Sequence, residues 1–202
     1  MLKVFGAIVS GNCYKVKVLL HLLGLEHQWQ EVDLVNGGAR TEEFLIMNPN
    51  GKTPTLQIDE NTFLAESNAI LYYLAQNTQY FPQDTIEQAQ VMQWMFFEQY
   101  SHEPYIATSR FIHMFLELTP ERLADLESKK VLGEKALFVM EKQLEDHAFI
   151  AGNSFTIADI SLYAYTHVAE DGGFDLSSYP NVLKWIKRVE LVENFKPMKG
   201  FL

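Results

Sequence analysis

A mostly apolar stretch of strand length, Leu2 to Ile8, gives way to a polar turn, Val9-Ser-Gly-Asn-Cys13. Val16-Lys-Val-Leu-Leu-His-Leu-Leu23 then follows at helical spacing and stops at Gly24. The pattern predicts a buried strand over 2–8 and a helix over 13–23 closed by glycine. Gln28-Trp-Gln-Glu-Val-Asp33 alternates, as a second strand would, parallel to the first through a right-handed crossover. Asn36 to Arg40 reads as a flexible loop, and Thr41-Glu-Glu-Phe44 as the capped start of a short helix. Asn48-Pro-Asn-Gly-Lys-Thr-Pro54 is dense turn punctuation. Behind it, Thr55–Asp59 and Thr62–Leu64 form a hairpin over Glu60-Asn61. A helix then starts near Ser67. The order β-α-β-α-β-β-α is complete within residues 1–76.

The pattern changes after residue 76. Residues 77–86 lack periodicity and read as a linker. From residue 87 to 202 no convincing strand occurs. A long aromatic helix runs from Gln88 to Phe115, interrupted locally at Pro104, and Pro120 opens a second reaching about Asp146. Thr156-Ile-Ala-Asp159 matches a capping box with the acid at the third helical position, which gives Asp159 a structural role. Pro180 opens the last helix, through about Val192. The expected fold class is therefore an α/β domain, 1–76, followed by an all-α domain, 87–202.

Composition narrows the function classes. Of 202 residues, 48% are hydrophobic and 21% charged, which is enough apolar material for a buried core. The net charge of −10, with no run of Lys or Arg beyond two, argues against nucleic acid as a partner. No apolar run is long enough for a membrane span. The N-terminus runs straight into a strand without the parts of a signal peptide, and a lone cysteine forms no internal disulfide. The expectation is a cytoplasmic protein. The six His and one Cys show no metal-ligand spacing, so no metal is expected.

The chemistry concentrates at the first turn. A strand end feeding a helix start presents unpaired N–H groups and the positive end of a helix dipole, which together favour an anion. Three side chains there are candidates to meet it: the Ser10 hydroxyl, the Asn12 amide and the Cys13 thiol. A thiol at a helix start can be activated. Cys13, however, shares helical spacing with Val16 and Leu20, an apolar stripe that favours a buried structural role.

Four segments in order resemble the cytosolic glutathione transferases, in particular bacterial, serine-type, theta- and phi-like members. They are Ser10 ahead of Lys15-Val16 in a strand–turn–helix setting; Asn48-Pro-Asn-Gly-Lys-Thr-Pro-Thr-Leu56; Glu66-Ser-Asn-Ala-Ile70; and Ser154-Phe-Thr-Ile-Ala-Asp159. The resemblance spans essentially the whole chain. It implies a thioredoxin-like N-terminal domain, an all-helical C-terminal domain, glutathione as co-substrate with no other cofactor, a hydrophobic electrophilic small molecule as second substrate, and a homodimer with a detoxifying role. It further implies that Ser10, or alternatively Asn12, hydrogen-bonds the glutathione sulfur, and that Pro54 is cis with Thr53 pairing to the cysteinyl main chain. Glu66 and Ser67 would hold the γ-glutamyl end, and Arg40 and Lys52 the glycine carboxylate. The family often has His before the basic residue of that loop, where this chain has Ala39. On the helical side, His102, Tyr105, Arg110 and Phe111 are the expected lining of the electrophile pocket. The alternatives are a glutathione-dependent disulfide reductase or peroxidase, and a non-catalytic binding protein that keeps the fold.

The energetic demand on such a site is modest. A thiol of pKa ~8.5 is about 3% thiolate at pH 7, and lowering the pKa by about two units makes it roughly three quarters thiolate. That shift corresponds to about 2.7 kcal/mol. One hydrogen bond to a charged acceptor plus a helix N-terminus can supply it.

Overall fold

The computed structural model describes residues 1–201. The chain divides into two compact units. One comprises residues 1–78 with the tail from 193, and the other residues 79–192.

In the first unit, β1 (Leu2–Gly6) pairs in parallel with β2 (His27–Glu31) and antiparallel with β3 (Thr55–Gln57). Strand β4 (Phe63–Ala65) pairs antiparallel with β3, giving the order β2-β1-β3-β4. Val4 and Leu56, directly paired, are fully buried at the centre of the sheet. Helix α1 (Gly11–Leu22) connects the parallel strands and buries Cys13, Val16, Leu19 and Leu20. It starts two residues earlier than periodicity predicts, because Ser10 is its cap and the polar turn supplies its first residues. Helix α2 (Glu42–Met47) is capped by Thr41, whose Oγ1 accepts the Phe44 N–H at 3.3 Å. Helix α3 (Ser67–Ala75) follows β4 directly. The hairpin turns on Asp59, whose Oδ1 accepts the N–H groups of Asn61 and Thr62. The predicted loop at 36–40 is partly ordered as a 3₁₀ turn over Gly38–Arg40.

The second unit is all-helical: α4 (Thr85–Phe97), α5 (Glu103–Phe115), α6 (Pro120–Asp146), α7 (Ile157–Thr166) and α8 (Pro180–Glu190). The single long helix expected across 88–115 is two. A π turn, Glu98–His102, separates them, and the Glu103 N–H reaches back five residues to Glu98 O. Pro104 explains the interruption, since it has no N–H to donate and its ring would clash with the carbonyl four residues back. Helix α4 starts at Thr85 because Asp84 caps it, accepting from Ile86 and Glu87 N–H at 2.9 and 3.1 Å. Helix α7 is buried along its entire length. Asp159 secures its start. One carboxylate oxygen accepts from Ile150 N–H and Trp185 Nε1, and the other from Thr156 N–H and Oγ1.

Two domain boundaries differ from expectation. Residues 79–84 are not a free linker, because Tyr80 and Phe81 are buried and Tyr80 O accepts the Ile157 N–H at 3.0 Å. The last residues do not belong to the helical unit. They return to the α/β unit, where Lys196 O accepts from Tyr14 Oη at 2.9 Å and the Phe201 ring packs edge-on against Tyr14 and His21. These contacts join positions 180 or more residues apart, a distance at which sequence periodicity is silent.

Candidate functional site

The site begins where β1 ends. The Ser10 N–H closes a turn onto Ala7 O at 3.0 Å, and Ser10 enters α1 in an extended conformation, φ −82° and ψ 127°. Its Oγ accepts the Cys13 N–H at 3.4 Å. A hydroxyl that accepts in this way still has its proton to donate. Ser10 is half-buried, so that proton has access to a ligand at the start of α1.

Asn12 lies one residue into the same helix. Its Oδ1 accepts the Ser67 hydroxyl at 3.1 Å. That bond ties the first turn of α1 to the first turn of α3 and turns the two helix starts into one polar site. Ser67 is itself buried. Glu66, immediately before it, has φ 68° and ψ 112°, a positive φ that a residue with a side chain rarely adopts. Such a conformation costs about 1–3 kcal/mol and persists only where its surroundings impose it. It exposes the Glu66 carboxylate beside the start of α3.

Thr53-Pro54 is cis, as the resemblance implies. Thr53 sits just outside the ladder, since β3 begins at Thr55. The loop that carries it is organised by Asn48. The Asn48 amide donates to Lys52 O at 2.7 Å, and its Oδ1 accepts the Asn50 N–H at 3.1 Å. Asn48 is buried and reads in sequence as a turn former, so its scaffold role was missed; the Asn-Pro-Asn-Gly punctuation was the available signal. Arg40 and Lys52 are both exposed. Arg40 Nη1 donates to Asn50 O at 3.2 Å, which brings the guanidinium onto the same loop.

Cys13 is 0% exposed, and its Sγ accepts the Ala7 N–H at 3.3 Å. Burial pushes the thiol up, only partly offset by hydrogen bonds from Thr53, Ser10 and Ala7. A raised pKa and no exposure suit a structural thiol and oppose a nucleophile.

In the helical unit the four expected pocket residues separate. His102 is fully buried, with Nε2 2.9 Å from Thr166 Oγ1. Arg110 is buried and donates through Nε to Asp171 Oδ2 at 3.1 Å. Both are interior groups of the helical unit, whereas the expectation has them line a pocket. The π turn is the cause for His102, because it rotates the helix register that a regular spacing would assume. Tyr105 is half-buried and Phe111 exposed, its ring 5.3 Å from that of Phe115.

Among the described residues no helix is long and apolar enough to cross a membrane.

Comparison with known proteins gives consistent matches across both units. The family description "Glutathione S-transferase, N-terminal domain" matches residues 9–77, and "Glutathione S-transferase, C-terminal domain" matches residues 94–191. A crystal structure of a glutathione S-transferase from Pseudomonas fluorescens superposes with a TM-score of 0.95 at 51% identity, covering 98% of each chain. Glutathione S-transferase 2 of Anopheles gambiae is 32% identical over 181 residues, 87% of this chain and 84% of that one. Disulfide-bond oxidoreductase YfcG of Escherichia coli is 30% identical over 187 residues, 88% of this chain and 85% of that one.

Proposed function

The chain belongs to the glutathione S-transferase family, and from that premise we propose that it is a glutathione transferase whose Ser10 hydroxyl stabilises the glutathione thiolate for attack on a hydrophobic electrophile. The observation that carries the proposal is the capping geometry of Ser10. Its oxygen accepts the Cys13 N–H, and its proton, which also reaches the buried Cys13 thiol, is the group that would turn to a sulfur bound at the start of α1. A hydrogen bond to a charged sulfur, together with the partial positive charge of the helix start, supplies the roughly 2.7 kcal/mol that a two-unit fall in thiol pKa requires.

The rest of the tripeptide is accommodated by the groups around this turn. Ser67 and the start of α3 receive the γ-glutamyl carboxylate, and the exposed Glu66 carboxylate receives its ammonium group. The Thr53 main chain pairs with the cysteinyl unit as an added strand. Arg40, with Lys52 on the adjoining loop, receives the glycine carboxylate. Of the four expected pocket residues, half-buried Tyr105 and exposed Phe111 keep accessible aromatic surface for an apolar second substrate. The working form is a homodimer of the kind general in the family, which sedimentation equilibrium would detect as twice the 23.3 kDa chain mass.

The similarity to a disulfide-bond oxidoreductase supports a second reading. In that reaction the bound thiolate attacks one sulfur of a disulfide, releases the other as a thiol, and leaves a mixed disulfide with glutathione. A second glutathione resolves it to glutathione disulfide and a second thiol. Asn12, held by Ser67, is the group placed to assist Ser10 there. Calorimetric titration with glutathione, followed by parallel assays with aryl halide electrophiles and small dithiol-derived disulfides, separates the readings. Conjugation supports the first and disulfide reduction the second. Correctly folded protein that binds no glutathione removes both.

A further inference from the structure

Strand β1 ends at Gly6, and the segment from Ala7 to Val9 that leads to Ser10 lies outside the sheet ladder. Backbone N–H groups in such a segment need partners from elsewhere. Two side chains supply them. The Ala7 N–H donates to Cys13 Sγ at 3.3 Å, a weak acceptor, and the Ile8 N–H donates to Glu31 Oε1 at 3.0 Å, a charged one.

Glu31 is itself held in orientation. Its Oε2 accepts from Trp29 Nε1 at 2.8 Å. The two residues share a face of β2, being two apart on a strand. The indole is fixed in turn. Its ring edge lies 3.0 Å from where a Cβ on Gly6 would stand, and Lys17 Nζ is 4.4 Å from its centroid. Both carboxylate oxygens are therefore committed, one to a wedged indole and one to the segment that delivers Ser10.

We propose that Glu31 is a positioning residue for the thiol site, its carboxylate anchoring the Ile8 N–H and so fixing where the Ser10 hydroxyl sits. The proposal rests on the reading of Ser10 as the thiolate's donor. Its sign is distinctive. A negative charge near a thiolate opposes its formation, and Glu31 acts in that direction on the neighbouring Cys13 thiol. Any benefit from Glu31 is therefore geometric, and it outweighs an unfavourable charge.

The test uses the full chain as wild type, Glu31→Ala, Glu31→Gln and Ser10→Ala. Three quantities are read: amide hydrogen exchange at Ile8, the thiol pKa of bound glutathione from the pH dependence of thiolate ultraviolet absorbance, and kcat with the glutathione KM. In Glu31→Ala the Ile8 amide exchanges faster and the bound-thiol pKa rises by about one to one and a half units. There kcat falls about threefold to tenfold at neutral pH, with KM changed by less than about twofold. In Glu31→Gln the one side-chain carbonyl keeps the Ile8 bond, the exposed Trp29 indole N–H loses its acceptor to water, and the charge is gone, so kcat stays within about twofold of wild type and the thiol pKa is equal or slightly lower. If both variants lower the thiol pKa together, Glu31 acts only through its charge and the proposal is overturned. Unchanged Ile8 exchange and thiol pKa in Glu31→Ala overturn it as well. Should Ser10→Ala leave the thiol pKa unmoved, the reading of Ser10 falls and this proposal with it. A normal Ser10→Ala loss beside a silent Glu31→Ala removes the proposal alone. Circular dichroism confirms folding of each variant, and Glu31→Gln keeps the comparison decisive if Glu31→Ala does not fold.

Discussion

Replacing Ser10 with Ala tests the thiol site most directly, because the side chain has two separable tasks. As helix cap it accepts the Cys13 N–H, and the 3.4 Å distance marks a bond at the weak end of the range. Loss of the cap costs about 1 kcal/mol of stability, read as a lowered urea midpoint without a changed slope. As donor to a thiolate, the hydroxyl is worth about 1.5–3 kcal/mol, or roughly one to two pKa units on the bound thiol. For a bound thiol near pKa ~6.5, that shift takes the thiolate at pH 7 from about three quarters to between roughly a fifth and a fiftieth. Turnover at pH 7 should fall about 4-fold to 40-fold, and recover as pH rises through the new pKa. Ser10→Thr keeps both the oxygen and the proton and should stay within a few-fold of wild type.

The assay is a pH–rate profile for conjugation, paired with direct titration of glutathione bound to each variant. The alkaline shift is the diagnostic feature, because a variant that had merely lost stability or affinity would show a lower rate at every pH. A Ser10→Ala enzyme with an unshifted profile and an unchanged bound-thiol pKa would refute the role assigned to Ser10, and would move the donor to Asn12.

Three further outcomes follow from the same geometry. Gly51→Ala should weaken glutathione binding about tenfold in calorimetric titration, because Gly51 has φ +60° and an added Cβ would stand 2.6 Å from Arg40 Nη1 and 2.9 Å from Ala39 O. Cys13→Ala should retain both conjugation and disulfide reduction while losing roughly 1–2 kcal/mol of stability in urea, since the thiol is fully buried and packed as a structural group. Asp159→Asn should destabilise by several kcal/mol, because an amide nitrogen would face N–H donors. Burial pushes the Asp159 carboxyl up to about 6, so the folded state holds its proton to higher pH than the unfolded chain does. The advantage of wild type over the Asn variant should then be greatest below about pH 4 and shrink by roughly 3 kcal/mol as pH rises through 6, measured as urea stability across that range.

Local chemistry made much of this fold legible. The caps at Thr41 and Thr156, the proline-opened helices at 120 and 180, and the antiparallel pairing of β3 with β4 all depend on residues within a few positions of one another. The same holds for the first site turn, where strand end, Ser10 and helix start are contiguous. What sequence left out depends on distant contacts or on register. The return of Lys196 and Phe201 to Tyr14 and His21 has no local signal. His102 and Arg110 were placed by helical spacing that the π turn breaks, and their burial follows from partners at Thr166 and Asp171, more than 60 residues on. Glu31 was visible only as one member of an alternating strand. Its bond to Ile8 depends on the parallel pairing of β1 with β2, which brings the end of one strand beside the end of the other.

The burial of Cys13 also changes how the two candidate reactions relate. A chain that used its own cysteine for disulfide exchange would need that sulfur exposed and its pKa depressed, and here both conditions are reversed. Disulfide chemistry at this site must therefore be carried by the sulfur of glutathione, the same atom that would attack an electrophile. On the proposed reading both reactions begin with one glutathione thiolate at the turn where Ser10 caps α1 and Asn12 is linked to Ser67. They diverge only at the second substrate. A Ser10 variant should therefore depress conjugation and reduction in parallel, whereas substitutions at Tyr105 or Phe111 should change their ratio. Measuring both rates on both sets of variants separates the common step from the selective one. If Ser10→Ala abolished one activity and spared the other, the two reactions could not share a thiolate, and the single-site account would fail.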